Sequence, residues 1–131
     1  MKGKFLLAIL CLFVLVSPVI AADVKLKIDG EQSEATKFLQ QLNENGSEYN
    51  LHFTMTDTDY EYRIALDAEG MTTADHFFGG GADAAAAVLN QNCELQFIVS
   101  RGGRSTKGGA MNALSKEIDK KLAKKMGLSK N

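Results

Sequence analysis

The 131-residue chain has no tryptophan, one proline, two cysteines and two histidines. With so few histidines and cysteines, the sequence offers no metal-ligand spacing, and it contains no recognisable nucleophile motif. The acidic residues Asp57, Asp59 and Glu61 lack the other ligands of a calcium loop, and we interpret them as a polar turn. We therefore predict no catalytic residue, no metal site and no cofactor. A small hydrolase that uses His52 or His76 is the least favoured alternative.

One long apolar run is present, at the start of the chain. Lys2 and Lys4 precede the apolar residues 5–16, and a small-residue segment follows as far as Ala22. This three-part pattern predicts a secretory signal peptide over residues 1–22, cleaved after Ala21 or Ala22. The run is too short for a membrane anchor. We expect a single domain over residues 23–131, located in the periplasm or outside the cell.

The cysteines exclude two kinds of exported protein. Cys11 lies in the middle of the apolar run, away from the cleavage point, so we predict no lipid anchor. Removal of the signal peptide leaves Cys93 without a partner in the chain, which excludes an internal disulfide. We interpret Cys93 as a small buried hydrophobe, with pairing to another chain or chemical reactivity as the alternative.

Charge is divided unevenly along the chain. Residues 23–100 contain 14 acidic and four basic residues, whereas residues 101–131 contain nine basic and two acidic residues. Such a division indicates either a basic surface for an anionic partner or a basic helix that neutralises a neighbouring acidic sheet. We favour the second interpretation.

Strict alternation of apolar and polar residues predicts strands with one buried face. The alternating segments are residues 24–28, 51–56, 60–67 and 95–100. The alanine-rich segment 84–89 is read as a further strand, because it is short and ends in Asn90-Gln91-Asn92 just before a clean strand. We expect hairpins at this turn and at residues 57–59. Residues 24–28 are a candidate exposed edge, although Lys25 and Lys27 argue against pairing between chains.

Two helices complete the predicted fold. The first begins near Ser33 as N-cap, buries Phe38 and Leu42 and ends at Asn45-Gly46. The second covers residues 109–126, with apolar residues at spacings of three and four. We predict an α+β fold, a mainly antiparallel sheet of about five strands with both helices on one face, in the order β-α-β-β-β-β-α.

The segment between the last strand and the final helix is the first candidate binding site. It contains Arg101, Arg104 and Lys107 among four glycines and leads into a helix N-terminus. Free backbone N–H groups and basic side chains at such a place favour an anion. The nucleotide-binding P-loop pattern is absent. The alternative is a flexible loop whose arginines pair with the acidic strands.

The loop over residues 68–83 is the second candidate, because it is long for a compact domain. It carries His76, Phe77 and Phe78 before three glycines. Adjacent phenylalanines on a strand point to opposite sides, so we predict an apolar contact there. The alternative is a loop that caps the core with both rings.

The lysine-rich final helix has the composition of a helix that lies on anionic membranes. Its apolar side chains are needed to cover the sheet, however, so we do not expect a membrane surface as partner. Export and net acidity argue against nucleic acid.

The segment from Arg101 to Ile118 resembles a family of small, uncharacterised exported bacterial proteins that end in a hairpin, an Arg/Gly-rich loop and a lysine-rich helix. Arg101, Arg104, Thr106, Lys107 and the residues that follow carry this resemblance. The order of elements is also similar to the envelope-protein domain of curli-secretion and penicillin-binding-protein-activator lipoproteins, which is related to the N-terminal domain of the translocation protein TolB. This second resemblance implies a non-catalytic adaptor, although the lipid-attachment cysteine of those lipoproteins is absent.

Taken together, the sequence predicts an exported, non-catalytic binding or adaptor module of the bacterial cell envelope. Its expected partner is another envelope or extracellular protein, with Arg101, Arg104 and Lys107 contacting an anionic group. The alternatives are a secreted enzyme inhibitor and a binder of a small anionic ligand.

Overall fold

The computed structural model describes residues 21–70 and 81–131. The elements, in chain order, are β1 (Ala22–Asp29), α1 (Gln32–Gly46), a 3-10 turn (Ser47–Tyr49), β2 (Leu51–Met55), β3 (Tyr62–Gly70), β4 (Ala82–Asn90), β5 (Leu95–Arg104) and α2 (Lys107–Lys125). This confirms the predicted α+β class and the order of its elements. Residues 1–20, which hold most of the predicted signal peptide, lie outside the described residues.

The described strands form one mixed sheet in the order β2-β1-β3-β4-β5. β1 pairs in parallel with both β2 and β3, and the pairs β3–β4 and β4–β5 are antiparallel. β1 is therefore an interior strand, and the prediction that residues 24–28 form an exposed edge is wrong. Its lysines lie on the polar face of the sheet rather than at an edge.

The predicted hairpin between β2 and β3 is wrong as well. β2 ends beside Leu26 on one side of β1, and β3 begins beside the same residue on the other side. The connecting residues 56–61 pass from one side of β1 to the other. Thr56 N–H donates to the carbonyl of Leu26, and Glu61 N–H donates to that of Lys25. Alternation reveals a strand and its buried face, but not which strand lies beside it.

The core lies between one face of the sheet and both helices, as predicted. Alternate residues of every strand contribute apolar side chains to this inner face. The helices cover it with Phe38 and Leu42 of α1 and with Met111, Leu114 and Ile118 of α2, all fully or almost fully buried. The opposite, outer face of the sheet is not covered by any described element.

The ends of three elements differ from the prediction. Glu31, not Ser33, is the N-cap of α1, and the Ser33 hydroxyl donates to the Glu31 carboxylate. Thr106 caps α2 by accepting a hydrogen bond from Gly109 N–H at 3.1 Å. β5 runs on through Arg104, so the first four residues of the predicted Arg/Gly-rich loop are strand.

The alanine-rich segment is a strand, as predicted. The small side chains of Ala82, Ala84 and Ala86 are buried on the inner face, against which α2 packs closely. Tertiary packing outweighs the helix propensity of alanine here. The turn that follows contains Cys93, which is exposed and has a φ of 61°. The prediction that Cys93 is buried is therefore wrong: the turn needs a left-handed residue at this position.

Candidate functional site

The residues of the predicted basic site lie on β5 and at the start of α2, and two of them already form ion pairs within the protein. Arg101 faces the helices: its Nη2 lies 3.0 Å from Oε2 of Glu117 in α2, and its Nη1 donates to the carbonyl of Ser100. Lys107, at the start of α2, places its Nζ 2.6 Å from Oε1 of Glu34 in α1. This hydrogen bond and the charge of Glu34 raise the pKa of Lys107.

Arg104, the third predicted residue, is exposed at the end of β5. Gly103 beside it has a φ of 68°, a conformation that favours glycine, and the strand is irregular at this point. Arg101 and Lys107 are thus held by carboxylates on different helices. An anion would have to compete with Glu117 and Glu34 for them.

The second predicted site, His76, Phe77 and Phe78, lies outside the described residues and stays a prediction. The other histidine, His52, is exposed on the outer face. Its Nδ1 lies 3.2 Å from the carboxylate of Asp23 on the neighbouring strand. Among residues 21–70 and 81–131, no three metal-binding side chains come together. No helix in these ranges has the length and apolar character needed to cross a bilayer.

The outer face of the sheet is a surface that the sequence reading did not single out. Three alanines, Ala65, Ala85 and Ala87, form a flat floor across β3 and β4. On β5, Ile98 is 65% exposed and Leu95 is 56% exposed. An irregularity in the β4–β5 register places Leu95 opposite Leu89 and Ile98 opposite Ala87, so both large side chains stand on this outer face.

A shallow cleft of about 330 Å³ borders this apolar surface at one end. Asp67, Glu69 and Asp83 line it together with Ser100 and Arg101. Gly102 also belongs to the lining, and a side chain there would come within 2.6 Å of the Asp83 carboxylate. This end of the outer face is therefore acidic and complements a cationic group.

A second cleft, of about 270 Å³, lies between the end of α1 and α2. Lys116, Lys120 and Lys130 line it, together with Glu48 and Glu117. The Lys130 Nζ lies 3.4 Å from Oε2 of Glu48. The cleft has three positive and two negative side chains, so it offers only a weak preference for an anion.

The two edges of the sheet differ in how their backbone groups are used. At β2, the N–H of Phe53 donates to Oδ1 of Asn43 at 2.7 Å, and Nδ2 of Asn43 donates to the Phe53 carbonyl at 3.1 Å. A side chain of α1 thereby occupies the place of a further strand. At β5, among the described residues, a strand lies on one side only.

Asp119 of α2 is a buried acid that the sequence analysis did not single out. Its side chain is fully buried, and neither carboxylate oxygen has a hydrogen-bond partner among the described residues. Burial, followed by the nearby charge of Glu48, raises its pKa to about 8. It lies beside Gly46 and Leu51, where α1 ends and β2 begins. In the sequence, its burial was indicated by its position between Ile118 and Leu122, on the flank of the apolar stripe of the helix.

No family model and no curated protein matches the sequence. Two solved structures resemble the fold. One is a minor lipoprotein from Acinetobacter baumannii, with a TM-score of 0.44 and 9% identity over 87% of this chain and 98% of that one. The other is a PelC dodecamer from Paraburkholderia phytofirmans, with a TM-score of 0.42 and 12% identity over 78% of this chain and 88% of that one. Likeness at these scores carries no functional information for this chain.

Proposed function

We propose that this chain is an exported, non-catalytic binding module of the bacterial cell envelope, and that it contacts another protein through the outer face of its sheet. The observation that carries the proposal is the exposure of Ile98 (65%) and Leu95 (56%) beside an alanine floor. Contiguous exposed apolar surface of this kind marks contact sites in soluble domains. Export rests on the predicted signal peptide.

The composition of the outer face supports a protein partner. Its centre is apolar, and its margin carries Arg63, Asp67 and Asp83. An apolar centre with a polar rim is typical of protein interfaces. Arg63 is held by the carboxylate of Asp29, a hydrogen bond that raises the pKa of Arg63. Arg63 of the rim is therefore held in position before a partner binds.

The alternatives use other surfaces or other partners. A secreted inhibitor would use the same outer face, and its partner would be an enzyme that loses activity when bound. A small-anion binder would use Arg101, Arg104 and Lys107. We favour the protein partner because Glu117 and Glu34 already neutralise two of these cations.

Photo-crosslinking in intact cells tests the proposal. A photoreactive amino acid replaces Ala65, which is exposed on the outer face, and in a matched control it replaces Lys124, which is exposed on α2. We expect a defined adduct with another envelope protein from position 65 and none from position 124. The adduct should persist when Arg101 and Arg104 are both replaced by alanine.

Three results would contradict this proposal. An adduct from position 124 alone would move the contact surface to the helices. Loss of the adduct in the double-alanine variant would assign the contact to the basic residues. Absence of any adduct from both positions would contradict a protein-binding function.

A further inference from the structure

β5 has the properties of a strand that is open to pairing. Residues 95–100, its first six, contain no charge, no proline and no glycine. Natural edge strands are usually protected by such residues or by a covering element, because their free N–H and C=O groups pair with other chains. In the described residues the opposite edge, at Phe53 of β2, is protected by Asn43.

We infer that β5 pairs in an antiparallel manner with β5 of a second copy of this chain, around a two-fold axis at Ile98. The resulting dimer has one continuous sheet, with the helices of both copies on the same side. This inference shares Ile98 with the proposed partner surface, but it is tested on the purified protein alone, so it can fail while the proposed envelope partner stands.

The side chains of β5 are compatible with this self-pairing. With Ile98 opposite its own copy, Phe97 lies opposite Val99 of the second copy. Directly opposite residues in an antiparallel pair point to the same face. Ile98 then meets Ile98 on the outer face, and Phe97 meets Val99 on the inner face, which matches their exposure in one copy.

The charges at the ends of this segment favour the antiparallel orientation and a second copy. Glu94 precedes β5, and Arg101 and Arg104 lie near its end. An antiparallel partner brings the Glu94 end of one strand to the arginine end of the other. A parallel partner would bring like charges together.

The interface is small, and lysines lie beside it. Five residues on each side, 96–100, pair around this axis and bury less than the roughly 1,600 Å² of a standard interface, so we expect a dissociation constant of about 100 μM rather than nanomolar. On the helix side, Lys121 Nζ lies 5.8 Å from the centre of the Phe97 ring, and Lys125 Nζ donates to Gln96. Lysines of both copies therefore lie near the shared edge, where their repulsion opposes the attraction between the Glu94 and arginine ends.

Sedimentation velocity of protein purified from cells that export it tests the inference, from about 10 μM to about 1 mM, a range that spans the expected dissociation constant. We expect dimers at the upper end of this range. Ile98→Lys should abolish them. The matched control is Thr54→Lys, which adds the same charge to an exposed residue of the protected edge strand β2. This control should dimerise like the wild type.

A cysteine variant fixes the register. In a Cys93→Ser background, Ile98→Cys places two thiols opposite each other at the axis, with Cβ atoms about 5 Å apart. We expect a disulfide-linked dimer from this variant and none from Thr54→Cys in the same background. A wild type that stays monomeric at about 1 mM would overturn the inference, since this edge would then be inactive at accessible concentrations. Equal dimerisation of the two lysine variants would also overturn it.

Discussion

The two edges of this sheet differ in whether their outward-facing backbone groups have hydrogen-bond partners. At β2, one side-chain amide from α1 satisfies both the N–H and the C=O of Phe53. At β5, six uncharged residues present their free backbone groups without such a cap among the described residues. Unpaired backbone groups attract other strands. The β5 edge is therefore available for pairing with another chain, whereas the β2 edge is not.

The two sides of the sheet also differ in where stability resides. The β2 side combines the Asn43 contacts with Asn45, whose Nδ2 donates to Ser115 Oγ of α2 at 2.7 Å. The buried Asp119 lies close by. On the β5 side, in contrast, the large apolar side chains are exposed and the ion pairs are open to water. We therefore expect substitutions near β2 to change the free energy of unfolding, and substitutions on β5 to change association.

The largest expected effect is the pH dependence that Asp119 confers on the β2 side. Its pKa is about 8 in the folded protein, against an ordinary value of 3.8 for an aspartate that is open to water. Between these values the unfolded state binds fewer protons than the folded state, so the free energy of unfolding falls as pH rises from about 4 to about 8. A shift of this size corresponds to about 5 kcal/mol.

The variant Asp119→Asn isolates this effect, since it keeps the shape and removes the ionisation. In urea unfolding, we expect it to match the wild type near pH 4 and to exceed its stability increasingly up to pH 9. Glu117→Gln, a neighbouring acid that is partly exposed, is the control. A difference between wild type and Asp119→Asn that stays constant with pH would show that the pKa of Asp119 is the same in the folded and unfolded states.

The second effect is the removal of the cap on β2. Asn43→Leu keeps the side-chain size but leaves the N–H and C=O of the almost fully buried Phe53 without partners. We expect a loss of about 2–3 kcal/mol in the free energy of unfolding, and a new tendency to associate through β2. Gln40→Leu, an exposed residue on the same helix whose amide donates to Glu44, is the control. A loss no larger than in this control would mean that Asn43 does not protect the edge.

The smallest effect belongs to the ion pair at the end of β5. Arg101 and Glu117 are 37% and 26% exposed, so water screens their attraction. A double-mutant cycle with Arg101→Ala and Glu117→Gln should give a coupling of about 0.5 kcal/mol. A coupling above about 2 kcal/mol would place this pair among the stabilising contacts of the fold and would weaken the contrast between the two edges.

Much of the fold was predictable because it follows from local periodicity. Alternation located β1, β2, β3 and β5, and spacings of three and four located both helices. The alanine-rich β4 was identified from its short length and the Asn-rich turn after it. The neighbour of each strand was not predictable, because β2 and β3 look like a hairpin in sequence although β1 lies between them. The outer face was missed for a similar reason. Ala65 and Ala87 are ordinary residues until the β3–β4 register places them side by side.

Because β1 lies between β2 and β3, it cannot pair on both sides until both of these later strands are available. Its partners lie 29 residues later, at Leu51, and 36 residues later, at Tyr62. The β4–β5 hairpin, in contrast, closes over six residues, from Leu89 to Leu95. Because distant pairings form more slowly than local ones, β1 gains both of its neighbours only after the chain has emerged as far as β3. A chain that emerges from this end therefore cannot complete the interior of its sheet until about half of its length is available.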